Sequence, residues 1–73
     1  MIKVRVIYAS TLDLPHEEIE LATATFVELQ EKVRKKLRIG PLSFATSGNV
    51  IRDPETVLTD GQEIFVFPLL AGG

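Results

Sequence analysis

Gly72-Gly73 close a 73-residue chain, and the free α-carboxylate expected on Gly73 is the one group in it with obvious synthetic potential. At an ordinary pKa of about 3.3 to 3.7 that group is ionised at neutral pH and is a poor electrophile. Adenylation by ATP would turn it into an anhydride with a good leaving group. A sulfur donor would then give a thiocarboxylate, and an amine would give an amide. The chain has no residues to catalyse either step. It contains no cysteine and a single histidine, His16, which has no second histidine or cysteine to complete a metal site or a nucleophile and base pair. Nucleotide, metal and thiol chemistry must come from another protein.

The remaining candidates read as solvated surface. Glu17, Glu18 and Glu20 could be imagined as catalytic acids, but consecutive strand residues point to opposite faces and nothing places two of the three across a cleft as an acid and base would be. Lys32, Arg34, Lys35, Lys36 and Arg38 form a basic run, but Glu28 and Glu31 interrupt that surface and the net charge is −2. Such a chain has no general attraction for phosphate backbones, so nucleic acid is not an expected partner. Gly48, Gly61, Gly72 and Gly73 are too scattered for a nucleotide-binding loop.

Composition limits the scaffold that can present the terminus. Seventy-three residues allow one small domain, and 45% hydrophobic with 25% charged residues is enough for a real core. The absence of cysteine points to a reducing compartment, with cytoplasm as the default. Lys3 and Arg5 break the opening apolar stretch, so neither a signal peptide nor a membrane span is expected there.

Ile2, Val4, Val6 and Tyr8 alternate with Lys3, Arg5 and Ile7 and predict a strand over Ile2 to Tyr8. A loop holding Ser10, Asp13 and Pro15 leads to a short return strand over Glu18 to Leu21. Thr25 and Glu28 have capping-box spacing, and Phe26, Leu29, Val33 and Leu37 share one helical face, predicting a helix from Phe26 to Arg38. Glu28 with Lys32 and Glu31 with Lys35 are spaced to pair along it, and Gly40-Pro41 is expected to stop it. Strands are predicted over Leu42 to Thr46 and around Val50-Ile51, with Val57 and Leu58 anchoring a crossing under the sheet.

The last strand, Glu63 to Phe67, is apolar on both faces, with Ile64 and Val66 one way and Phe65 and Phe67 the other, as suits a central strand. A mixed sheet of four to five strands with one helix across one face follows. The other face leaves Ile7, Phe65 and Phe67 to solvent or to a partner, although sheet packing alone would also account for the phenylalanines. Pro68 cannot donate to a ladder, so residues 1–68 are expected to form the folded domain and residues 69–73 an extended arm. That arm, Leu69-Leu70-Ala71-Gly72-Gly73, tapers towards its tip as threading through a narrow channel would require.

From Leu58-Thr59-Asp60-Gly61-Gln62-Glu63 through Ile64 to Pro68 and on to Gly72-Gly73, the sequence resembles the C-terminal signature of the MoaD/ThiS-like sulfur carriers. Within that group it is most similar to the small subunit of molybdopterin synthase (MoaD). The resemblance implies an α+β, ubiquitin-like β-grasp fold and a Gly73 thiocarboxylate made through an acyl-adenylate. It implies a MoeB- or ubiquitin-activating-like enzyme that uses ATP and Mg, and no permanently bound cofactor. A MoaE-like large subunit would receive the arm, with Ile7, Phe65, Phe67, Pro68, Leu69, Leu70 and Ala71 contacting partners. Leu69 stands where many members have a second proline. Carriers for thiamine or tRNA thiolation, and small modifiers joined to target-protein lysines, share the same activation chemistry.

Overall fold

A computed structural model describes residues 1–38 and 41–69. Its elements are β1 (Ile2–Tyr8), a short 3-10 turn (Ser10–Leu12), β2 (Glu17–Leu21), α1 (Phe26–Leu37), β3 (Leu42–Thr46), β4 (Asn49–Val50) and β5 (Glu63–Pro68). The five strands form one sheet in the order β2-β1-β5-β3-β4, with β1 and β5 parallel at its centre and the other pairs antiparallel.

One face of this sheet makes the core. Val4, Val6 and Tyr8 of β1, Leu21 of β2, Leu42 and Phe44 of β3, and Ile64 and Val66 of β5 are buried together with Phe26, Leu29 and Val33 of α1. Each such side chain contributes about 1.5 to 3 kcal/mol by leaving water. Phe26 packs edge-on against Phe44, ring centroids 5.1 Å apart at 80°, and joins the first helical turn to the sheet.

The helix begins where its spacing predicts but is capped differently. Thr25 is the N-cap residue, yet its side chain makes no capping hydrogen bond. The first helical N–H groups are met by a distant loop, Phe26 N donating to Thr56 O (2.9 Å) and Val27 N to Pro54 O (3.0 Å). Glu28 does not take the expected box role; it reaches back and accepts from Ala22 N, Thr23 N and Thr23 Oγ1 at 2.9, 2.7 and 2.7 Å. Leu58 N returns the latch by donating to Ala24 O (2.7 Å), which holds Ala24 at a left-handed φ of 57°.

Other expectations shift. The helix ends at Leu37, one residue early, because Arg38 turns to φ 52° while its N–H still reaches Arg34 O. Gly40, the expected stop, lies outside the described residues. Leu58 is buried as predicted, whereas Val57 is 72% exposed: its backbone bridges Thr25, which turns the side chain out of the core. Of the two helical ion pairs, Glu28–Lys32 forms at 3.7 Å, and Glu31–Lys35 is not closed among the described residues.

Pro68 does not end the ladder. It stands opposite Leu42, and the next N–H, that of Leu69, donates to Pro41 O at 3.0 Å. The alternation explains this: Val66 directs its carbonyl to Ala9 N beside β1, so Pro68, two residues on, turns its missing donor to that side, beyond the end of β1.

Candidate functional site

The face of the sheet opposite the helix is where β5 presents Phe65 and Phe67. Register defines it: Ile7 pairs Phe65, Phe65 pairs Ala45, and Ala45 pairs Val50. One apolar residue from each of β1, β5, β3 and β4 therefore forms a row across four strands, with Phe67 displaced towards the strand end. Phe65 is 43% and Val50 45% exposed, while Ile7, Ala45 and Phe67 are half-buried. Ala45 and Val50 extend the patch beyond the three residues expected from sequence. The two-residue turn at Ser47 (φ 51°) and Gly48 (φ 80°) sets that pairing, so counting outward from Ser47-Gly48 could have found both.

Next to the apolar row the same face is ionic. Arg5 stands between Glu18 on β2 and Glu63 on β5, reaching Glu63 at 3.5 Å, and Lys3 stands opposite Glu20. These groups are more than half exposed, so the ion pair contributes about 0 to 1 kcal/mol and serves register more than stability. The face thus has an apolar half near the exit of β5 and a charged half near its entry.

The Asp60-Gly61 segment of the carrier-like signature is structural. Asp60 Oδ1 accepts from Lys3 N (2.8 Å), Gly61 N donates to Lys3 O (2.7 Å) and Arg5 N donates to Gln62 O (2.8 Å). Gly61 sits at φ 82°, where a side chain would be strained. Gln62 also accepts from Thr59 N and donates to Thr46 Oγ1. These contacts fix the register of β5 against β1, and hence the direction in which the chain leaves the sheet.

Leu69 is 52% exposed just past that exit, and Pro68 is half-buried. Leu70, Ala71, Gly72 and Gly73, the rest of the expected arm and its reactive tip, lie outside the described residues.

The acidic and histidine candidates separate. His16 is exposed beside a shallow hollow also lined by Tyr8, Ser10, Asp13, Leu14 and Pro15. Among the described residues no cluster of metal-ligating side chains occurs. Glu18 and Glu20 are exposed, but Glu17 departs from the expected solvent-facing charge: it is half-buried, accepting from the Tyr8 hydroxyl (2.6 Å) and from Lys36 Nζ. Partial burial pushes the Glu17 carboxyl up, but the hydrogen bonds from Lys36 and Tyr8 outweigh it and hold the group below its ordinary value. Burial, then the carboxylate, drives the Tyr8 phenol well above its ordinary range. The trio ties β1, β2 and α1 together.

No protein-family model matches the sequence, and no curated protein matches it. Solved structures do match, among them Caldiarchaeum subterraneum ubiquitin, with a TM-score of 0.73 over 99% of this chain and 98% of that one. The chain has the ubiquitin fold. At 22% identity the likeness is one of architecture, which among the described residues is a β-grasp sheet, one α-helix on one face and the last strand at the sheet centre. Among the described residues no helix is long and apolar enough to cross a membrane.

Proposed function

We propose that this chain is a sulfur carrier whose reactive group is the α-carboxylate of Gly73. A separate MoeB- or ubiquitin-activating-like enzyme supplies ATP and Mg; the carboxylate attacks the α-phosphate and pyrophosphate leaves. Hydrosulfide from a sulfur donor then attacks the acyl-adenylate carbonyl and expels AMP, giving a thiocarboxylate. The arm enters a MoaE-like synthase subunit and donates sulfur to the dithiolene of molybdopterin. Cytoplasm is the matching location.

One observation carries the reading. The row Ile7–Phe65–Ala45–Val50 lies on the face the helix leaves bare, with Phe65 and Val50 exposed, and it adjoins the end of the strand that leads towards Gly73. An apolar patch at that place suits a body that docks while its arm is used elsewhere. The carrier-like signature from Leu58 to Gly73 adds the sulfur chemistry by resemblance.

Pyrophosphate exchange into ATP tests the first step. With an adenylating enzyme from the same host, exchange should depend on this chain and vanish when Gly73 is deleted; exchange that persists after the deletion contradicts the proposal. The fold shared with Caldiarchaeum subterraneum ubiquitin favours a second reading, a modifier joined to target-protein lysines. That reading predicts a ladder of heavier conjugates in host lysate that collapses when Gly73 is removed.

A further inference from the structure

The free edge of β2 is half occupied by the helix. Lys3 and Arg5 direct their backbone groups away from β2: Lys3 N and O bond Asp60 and Gly61, and Arg5 N bonds Gln62 O. Their partners in register, Glu20 and Glu18, must therefore direct N–H and C=O outward, because antiparallel residues alternate between bonding across the pair and bonding away from it. Along that edge Glu28 accepts from Ala22 N at 2.9 Å and Lys32 Nζ donates to Glu20 O at 3.0 Å. One turn further, Lys36 bonds the Glu17 carboxylate. Glu28, Lys32 and Lys36 are spaced four apart, so a single helical stripe runs beside the strand. Among the described residues, nothing meets the outward N–H and C=O of Glu18 or the N–H of Glu20.

We propose that this edge is a strand-addition site for an extended segment of a partner protein with alternating apolar and basic residues, and that Lys32 covers it in the free protein. The charge pattern selects the partner. Glu18 and Glu20 project on the outer face, and on their inner side β2 is already paired by Lys3 and Arg5, with Ile2, Val4 and Val6 between them on the core face. A segment on the outer side meets the same two carboxylates, and its apolar positions fall on the side of half-buried Ile19. A second copy of β2 is disfavoured, because antiparallel pairing about Ile19 would set Glu18 against Glu20 twice. The lysine cover is displaceable: Lys32 is 48% exposed and its bond to Glu20 O can be replaced by one backbone N–H. The site is separate from the apolar row and owes nothing to Gly73.

The probe is a synthetic peptide with the sequence Ile2–Tyr8, titrated into the full isotope-labelled chain and followed by backbone amide shifts. Shifts should concentrate at Glu18 to Ala22. Affinity should rise for Lys32→Ala by up to about fivefold, the span of a weak surface contact, and should fall when the lysine and arginine of the peptide are replaced by glutamate. Binding centred on Ile7, Phe65 and Val50, equal binding of the acidic peptide, or no binding by either protein would overturn the proposal. Exchange of the peptide for the chain's own β1 would overturn it too, and would show as loss of the Glu63 to Val66 signals.

Discussion

The N–H of Leu69 donates to the carbonyl of Pro41 at 3.0 Å, one residue beyond the Leu42–Pro68 pair. The end of β5 is therefore held on the β3 side up to Leu69, and the partner proposed to take the residues beyond it would meet a fixed anchor there. Leu69→Pro removes this donor. It should lower stability by about 0.5 to 1.5 kcal/mol, the net worth of one hydrogen bond, while the fold persists. Urea unfolding with an unchanged m-value checks it.

Acid should destabilise the protein through Glu28. Hydrogen bonds from Thr23 N, then Ala22 N and the Thr23 hydroxyl, with a smaller contribution from Lys32, hold its carboxyl near 2 against an ordinary 4.5. A carboxyl depressed in the folded state contributes fully above the unfolded pKa, and that contribution is lost as pH falls from about 4.5 to about 2. Glu17 acts in the same direction. The urea midpoint of Glu28→Gln should be lower than wild type at pH 7 and should fall less across this window.

Alkali should destabilise it through Tyr8. The phenol is raised in the folded state, so its contribution is complete below its ordinary value of 10 and is lost as pH rises beyond it. Tyr8→Phe should flatten the alkaline limb of the stability profile, read by circular dichroism.

Ala24 adopts φ 57° so that its carbonyl can accept from Leu58 N. Left-handed backbone costs a non-glycine residue about 1 to 2 kcal/mol, and glycine gives part of that back as unfolded-state entropy. Ala24→Gly should therefore stabilise by about 0.5 kcal/mol, seen as a higher urea midpoint.

Elements whose own side chains set the period could be read from the sequence. β1 alternates because one face is buried, the last strand stands out as a dense apolar run, and the Phe26, Leu29 and Val33 stripe marks α1. Features decided by a distant backbone could not. Thr25 and Glu28 have capping spacing, but the carbonyls of Pro54 and Thr56 reach the helix N-terminus first. Val57 looks like core until its bridge to Thr25 turns it outward. Pro68 looks like a terminator until the phase of the ladder shows that its missing donor is not needed. At the candidate site, Ile7, Phe65 and Phe67 followed from the pattern within strands, whereas Ala45 and Val50 needed the pairing between them.

The apolar row should matter for docking more than for folding. Phe65 is 43% exposed, so Phe65→Asp should leave the fold intact while weakening the proposed complex with an activating enzyme by about tenfold or more, as loss of a central aromatic anchor does. Calorimetric titration of the two proteins reads the affinity, and amide spectra of the variant confirm that it is folded.

The intact mass of the protein purified from its own host tests the central claim most directly. The carrier account predicts a population ending at Gly73 and heavier by the exchange of one oxygen for sulfur, with fragmentation placing the sulfur on that residue. Free acid alone, even after incubation with the activating enzyme, ATP and a sulfur donor, would contradict it.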